Sequence, residues 1–586
     1  MKTWIKYIKP YLPFFILGPL CMIIEVIGEV LMPKMLSLVI NSGTDGSLTV
    51  TKSIWVALGM IGLAVVMMLG GVGGAYFGAK ASVNFAADIR ADMYKKVQSF
   101  AFSNIDKFST GSLVTRLTND VTQMQNFCNM MLRMALRSPG MLIGALVMAV
   151  MLKPSLSLVF AVSVPLMIIA VSCIIKLGFA RFGKMQSKID KLNSTVQENV
   201  TNMRVVKSFV REDYEREKFY NANGELKKSG ISAMKVMIFM QPIMTIVMNF
   251  TTLAVIWFGG NIVIGEAGVA GGMSIGDLSA FLTYVTQILT SLMMITMLLM
   301  NASRAFASAK RIKEVLYEDV LLTDKDAAKK HLTVTNGKIE FKNVCFKYYK
   351  SSEEKVLNNI NLTIEPGKTV GIIGSTGCGK TTLVSMIPRL YDVDEGEVLV
   401  DGVNVRDYSL KNLREGVGMV LQKNVLFSGS IAYNLRWGND DATDSELIEA
   451  AECAQANGFI QSFNGGYDYD LGQGGTNVSG GQKQRLCIAR ALLKQPKIII
   501  LDDSTSAVDT ATEAHIRDAF RNKLNGSTKI IIAQRISSVI DADVIVVMDD
   551  GRITGVGDHQ TLLNENKEYQ EIYYSQNERK GESVNG

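Results

Sequence analysis

Residues 370–382 read VGIIGSTGCGKTT. The apolar run Val370–Ile373 predicts a strand. Gly374-Ser-Thr-Gly-Cys-Gly-Lys380-Thr381 then fits the spacing G-x-x-x-x-G-K-[ST], and a helix opens at Thr381. A strand before and a helix after is the context this loop needs. Its glycines let backbone N–H groups converge on phosphate oxygens. Lys380 is placed to reach the β- and γ-phosphates, and Thr381 to offer its hydroxyl to Mg²⁺. Gly374, Ser375, Thr376, Gly377, Cys378, Gly379, Lys380, Thr381 and Thr382 are therefore the candidate ATP-binding residues. From Lys338 onward β-rich runs alternate with helical stretches and Gly turns, an α/β pattern.

Upstream the composition is different. The chain has 586 residues, 48% of them hydrophobic and only 20% charged, which points toward a membrane and excludes general disorder. The net charge of +6 is small for this length and gives no sign of a nucleic-acid groove. Seven scattered cysteines without a CxxC pair suggest neither a disulfide framework nor a zinc site. A span needs about 20 apolar residues. Six are expected, at about 13–38, 54–79, 129–152, 155–176, 236–264 and 277–302, so 1–310 reads as an all-α transmembrane domain. The first is too long for a signal peptide and lacks a cleavage pattern. Basic residues set the orientation. Six lie between Lys80 and Met130 and thirteen between Lys176 and Lys235, while the alternate loops are nearly bare. Both termini and both long connections are thus expected in the cytosol. These connections have helical periodicity, so the helices should run far beyond the membrane and turn back. The turns expected to offer transverse helices are 108–120 and 209–219. Gly70, Gly71, Gly73 and Gly74 suit close helix packing. Glu25 and Glu29 share a helix face in the first span. They read either as a cation or polar-substrate contact in a water-filled cavity, or as solvated groups at a membrane lip.

The second half carries further motifs. Ile498-Ile-Ile-Leu-Asp502 reads as a buried strand ending in a carboxylate, the expected partner of Mg²⁺ through water. Val478-Ser-Gly-Gly-Gln482, followed by Lys483-Gln-Arg485, lies between the loop and that strand. Together these motifs resemble the nucleotide-binding domain of an ATP-binding cassette (ABC) transporter. Ser479, Gly480, Gly481 and Gln482 resemble the family's signature. Six spans followed by one such domain resemble a half-transporter of the exporter type, over essentially the whole chain. The resemblance implies a linker at 311–335, a nucleotide-binding domain at 336–574 and a polar tail at 575–586. It implies that Tyr348 stacks on adenine, with Tyr349 the other register. It implies that Gln422 touches Mg²⁺ and that Ser506 and Asp509 belong to an interface loop. It also implies a dimer, in which each ATP lies between the phosphate loop of one chain and the signature of the other. A signature at a helix N-terminus is physically suited to receive a γ-phosphate.

Two positions depart from the family. Asp503 stands where the family usually has Glu, and Gln534 where it usually has His. Asp is one methylene short for positioning water, and an amide cannot carry the charge of an imidazolium. Such paired changes resemble one subunit of a heterodimeric bacterial exporter. The site then binds ATP·Mg²⁺ but hydrolyses slowly, while Ser479–Gln482 serves the partner's site. The expected substrate is an amphiphilic drug-like or lipid-like molecule, in keeping with 31 methionines, and the expected location is the cytoplasmic membrane among its lipids. A homodimeric lipid or drug exporter, a nucleotide-gated channel and a regulatory subunit remain as alternatives.

Overall fold

The computed structural model describes residues 2–44, 49–265, 272–324, 327–349, 353–503 and 510–582. It divides into two compact units, Met1–Gln98 with Thr110–Tyr317, and Ser99–Ser109 with Glu318–Gly586.

Among the described residues, the first unit holds six helices long and apolar enough to cross a bilayer. They are Thr3–Thr44, Val50–Gln98, Thr110–Leu152, Pro154–Thr201, Glu212–Gly265 and Ile275–Leu316. The shortest has 42 residues. A bilayer core takes about 20, so roughly half or more of each helix lies outside hydrocarbon. The first helix packs along the second, the fourth along the fifth, and the sixth against the first and third. Small residues set the first of these approaches. A Cβ on Gly70 would lie 2.9 Å from the Cys21 carbonyl oxygen, and one on Gly74 2.5 Å from the Met22 side chain. Asp120, fully buried near the start of the third helix, accepts from Ser308 at 2.9 Å and pairs with Arg311 on the sixth.

Each long connection contains a short helix, Phe102–Phe108 in one and Met203–Ser208 in the other. Each is followed by a non-glycine residue at positive φ, Ser109 at 49° and Val210 at 51°. These short helices come before the stretches expected from sequence. Thr110–Asp120 opens the third long helix, and Glu212–Phe219 opens the fifth. Neither glycine nor proline stands at Ser109 or Val210, where the chain reverses.

In the second unit the strands are β1 (Ile339–Phe346), β2 (Leu357–Ile364), β3 (Thr369–Gly374), β4 (Glu395–Val400), β5 (Val403–Asn404), β6 (Val417–Val420), β7 (Ile498–Asp502), β8 (Thr528–Ile532), β9 (Val544–Asp549) and β10 (Arg552–Gly557). Four form an antiparallel sheet in the order β2-β1-β4-β5. Six form a second sheet in the order β10-β9-β3-β8-β7-β6, parallel except for β10. All five residues of β7 are buried, as are Val370–Ile373 of β3. Such unbroken apolar runs are what a parallel sheet covered on both faces requires. The ends of β3, β7 and β8 therefore emerge side by side, the usual position of a ligand site in a parallel sheet.

The helix Phe102–Phe108 belongs to this second unit. Tyr391 donates to Asp106 at 2.9 Å, Lys107 pairs with Glu318 at 2.8 Å, and Asn104 donates to the Asp319 carbonyl at 2.9 Å. At the other end of the chain, residues 575–582, expected as a polar tail, continue the helix Lys567–Glu582. Tyr569 anchors that helix, fully buried in a cluster with Ile373, Ile536 and Val547.

Candidate functional site

β3 ends at Gly374, whose φ is +155°. A Cβ there would lie 2.0 Å from the Met548 carbonyl oxygen, so only glycine lets the loop leave the strand against β9. Gly379, at φ +98°, likewise lies against the Val356 carbonyl. The Lys380 ammonium is fixed by the carbonyls of Gly374 and Ser375, at 2.8 and 2.7 Å. Ser375 donates to Asp549 at 3.0 Å. Ser375, Thr376 and Gly377 are exposed along the loop, while Cys378 and Gly379 are buried beneath it.

Thr381 joins this loop to β7, its hydroxyl donating to Asp502 Oδ1 at 3.0 Å. Asp502 is 1% exposed, and its Oδ2 has no hydrogen-bond partner among the described residues. Burial pushes its carboxyl above the usual aspartate range. The charge of Asp503 adds to this, and Thr381 and Lys380 oppose it. A buried carboxylate with one oxygen to spare, beside a hydroxyl, is a donor set suited to a hard divalent cation carrying waters. The residues present therefore fit Mg²⁺. Tyr348 lies beside the loop. Its hydroxyl shares a hydrogen bond of 2.9 Å with Thr382, and its ring packs edge-on against Tyr391 at 5.3 Å. Tyr349 is more exposed, at 70% against 43%.

Asp503 follows directly at the end of β7, with φ at +48°. Aspartate is among the side chains that enter this left-handed region more readily. Its N–H donates to the Ile532 carbonyl at 3.0 Å, and its carbonyl accepts from Gln484 at 3.3 Å. Its side chain accepts from Gln534 Nε2 at 2.8 Å. The two family-divergent positions are thus bonded to each other. Burial pushes the Asp503 carboxyl up. Hydrogen bonds from Gln534 and Gln422, then the charges of Lys380 and Arg535, pull it back. Gln422 is thereby placed at Asp503.

Ser479 caps the helix Gly480–Leu493. Its hydroxyl accepts from the Gln482 N–H at 3.3 Å, and the Gln482 side chain accepts from the Ser479 N–H at 2.9 Å. This reciprocal box fixes the start of the helix. Ser479 and Gly480 are exposed, Gly481 is half-buried, and Val478 is buried in the apolar cluster below. The phosphate loop is anchored in a different cluster, through Cys378, Leu383 and Val384. Ser506 and Asp509 lie outside the described residues.

In the first unit, Glu25 and Glu29 both face Arg137 of the third long helix, at 3.3 and 2.6 Å. Gln287 donates to the Glu29 backbone carbonyl at 2.9 Å. Sequence reasoning missed Arg137, and it missed Gln484 as a support for Asp503.

A phosphate loop, a buried Mg²⁺-type carboxylate and an exposed, capped Ser-Gly-Gly-Gln helix start define a nucleotide-binding unit that shares one chain with six membrane-length helices. The chain belongs to the ABC transporter family. Residues 15–292 match the ABC transporter transmembrane region and residues 357–506 the ABC transporter domain. It is similar to the uncharacterized ABC transporter ATP-binding protein YfiB of Bacillus subtilis, with 36% identity over 99% of both chains. It is also similar to an ATP-dependent lipid A-core flippase of Syntrophus aciditrophicus, with 31% identity over 100% of this chain and 96% of that one. Its fold matches a bacterial Atm1-family ABC exporter with ATP bound, with a TM-score of 0.78 and 24% identity over 96% of this chain and 98% of that one. The protein is an integral membrane protein, and its second unit is an ABC ATPase domain that couples ATP hydrolysis to transport.

Proposed function

We propose that the chain is one half of a heterodimeric ABC exporter, that it moves amphiphilic small molecules out across the cytoplasmic membrane, and that its own ATP site turns over slowly. The observation that carries this reading is the bond between Asp503 and Gln534. A water-positioning carboxylate is expected to present its oxygens to water, whereas here one oxygen is taken by an amide. Aspartate also reaches less far than glutamate. Misplacement of such a group by about 1 Å is worth roughly 10²-fold in rate.

The binding half of the site is complete by the same criteria. Lys380 would move from the loop carbonyls to the phosphates, and Thr381 and Asp502 would hold Mg²⁺. When bound, Mg²⁺ neutralises phosphate charge. Tyr348 would receive the adenine. Ser479–Gln482 would cap the partner's ATP, with Ser506 and Asp509 at the same interface. Both termini would lie in the cytosol, with Phe102–Phe108 and Met203–Ser208 as the cytosolic turns that carry closure to the membrane domain. The 31% identical flippase favours a second reading, a homodimeric exporter of lipid-like molecules.

ATPase activity of the full chain in nanodiscs, alone and with the homologous chain that co-purifies with it, separates the two. The heterodimer reading expects activity only with the partner. That activity should survive Asp503→Asn and collapse on Ser479→Arg. Rapid hydrolysis by this chain alone would establish the homodimer instead.

A further inference from the structure

The C-terminal helix Lys567–Glu582 touches the candidate site at one residue that no motif includes. Gln576 Nε2 donates to the carbonyl of Gln534 at 2.8 Å, and its Oε1 accepts the N–H of Ile536 at 2.9 Å. A single amide thus spans both sides of the turn that leaves β8. On its apolar side the turn is held by Ile536, 4% exposed, in the same cluster as Tyr569. The helix itself is fixed by three further bonds. The Tyr569 hydroxyl meets His559 Nδ1 at 2.7 Å, the Tyr569 N–H donates to Asn566 Oδ1 at 2.8 Å, and Asn566 donates to the Thr554 carbonyl at 3.1 Å. The Gln534 carbonyl and the Ile536 N–H lie beyond the sheet ladder, which in this strand ends at Ile532. Gln576 therefore gives these two groups a protein partner where the ladder no longer does.

We propose that Gln576 is a positioning residue. It holds the Gln534 backbone so that the Gln534 side-chain amide meets Asp503, and it sets the rate at which ATP bound to this chain is cleaved. The proposal rests on the reading of Asp503 and Gln534 as the positions facing the attacking water. Gln576 touches neither the phosphate loop nor Asp502. Its removal should therefore change hydrolysis and not ATP affinity.

The test is a double-mutant cycle in the full chain with the partner it co-purifies with. Prebound Mg·ATP is followed through a single turnover, and the slowest phase is read. Gln576→Ala should speed that phase about 5-fold, the equivalent of about one net hydrogen bond, because it loosens the amide that occupies the Asp503 oxygen. The affinity for Mg·ATP should stay within about 2-fold. In a Gln534→Ala background the same change should move the rate less than about 2-fold, because residues acting through one another are not additive. Gln576→Glu keeps the acceptor for Ile536 and loses the donor to Gln534. It should fall between the parent and Gln576→Ala, and it carries the test if Gln576→Ala does not fold. Slowing by Gln576→Ala, an equal change with and without Gln534, or no change in either, overturns the proposal. A fast slowest phase in the parent would refute the slow-site reading, and the cycle would still decide the role of Gln576.

Discussion

Two pairs of carboxylates lie inside this chain, one in each unit, and they are neutralised differently. Glu25 and Glu29 face a guanidinium, Arg137, that the protein itself supplies. Asp502 and Asp503 are adjacent on the end of β7, and the groups bonded to their side chains are a hydroxyl and amides. The ammonium of Lys380 acts on them as a charge while its hydrogen bonds go to the loop carbonyls. The first pair is a closed structural unit in a setting where an isolated charge is costly. The second is left short of positive charge at the place where a nucleotide and its cation belong. Burial with a resident counter-ion favours stability of position, whereas burial without one marks a site built for a ligand.

The largest effect expected from this contrast is on the membrane unit. Arg137→Ala strands two half-buried carboxylates in a membrane-length helix and should cost about 3 kcal/mol, the scale of an unpaired charge within a span. Thermal unfolding in detergent should show the loss, and adding Glu25→Gln and Glu29→Gln should recover most of it. An unchanged melting temperature for Arg137→Ala would erase the distinction between the two pairs.

Asp502→Asn should act in two opposite directions. Affinity for Mg·ATP, measured by isothermal titration, should fall about 10- to 100-fold, as for lost metal-holding groups. Without nucleotide, the same variant should melt about 2–4 °C higher, because an uncompensated buried charge is removed. A lower melting temperature would mean that Asp502 is compensated within the apoprotein.

The smallest effect is on pH dependence. Both carboxyls are raised by burial, so the folded state binds more protons than the unfolded state just above the normal aspartate value of 3.8. Through that window nucleotide-free stability should fall as pH rises. The melting advantage of Asp502→Asn should accordingly be largest near neutrality and shrink on acidification. An advantage independent of pH would show that the two carboxyls titrate normally.

The sequence made the nucleotide unit legible because its chemistry is contiguous. A strand, a glycine loop and a helix start fall within Val370–Thr382, and Ser479 caps its own helix three residues from Gln482. Asp502 could be placed because four consecutive apolar residues, Ile498–Leu501, cannot be mistaken for an exposed strand. What escaped was set by groups distant in sequence. Arg137 meets Glu29 across 108 residues, and Gln576 reaches Gln534 across 42. The two short helices of the long connections fall ahead of the stretches expected from sequence for a local reason. Ser109 and Val210 take positive φ without being glycine, so the break carries no residue signal. The mutual bond of Asp503 and Gln534 was also invisible, although each position was singled out alone. Side-chain reach across β7 and β8 is a property of the sheet order, and no spacing encodes it.

The most direct measurement is a single-turnover assay of ATP prebound to this chain's own phosphate loop, comparing the parent with Asp503→Glu/Gln534→His. If the binding half is complete and only the water-facing half is altered, the double change should accelerate cleavage about 10²-fold. ATP affinity should stay nearly unchanged. A parent that already cleaves its bound ATP as fast as the double variant would contradict the slow-site reading outright.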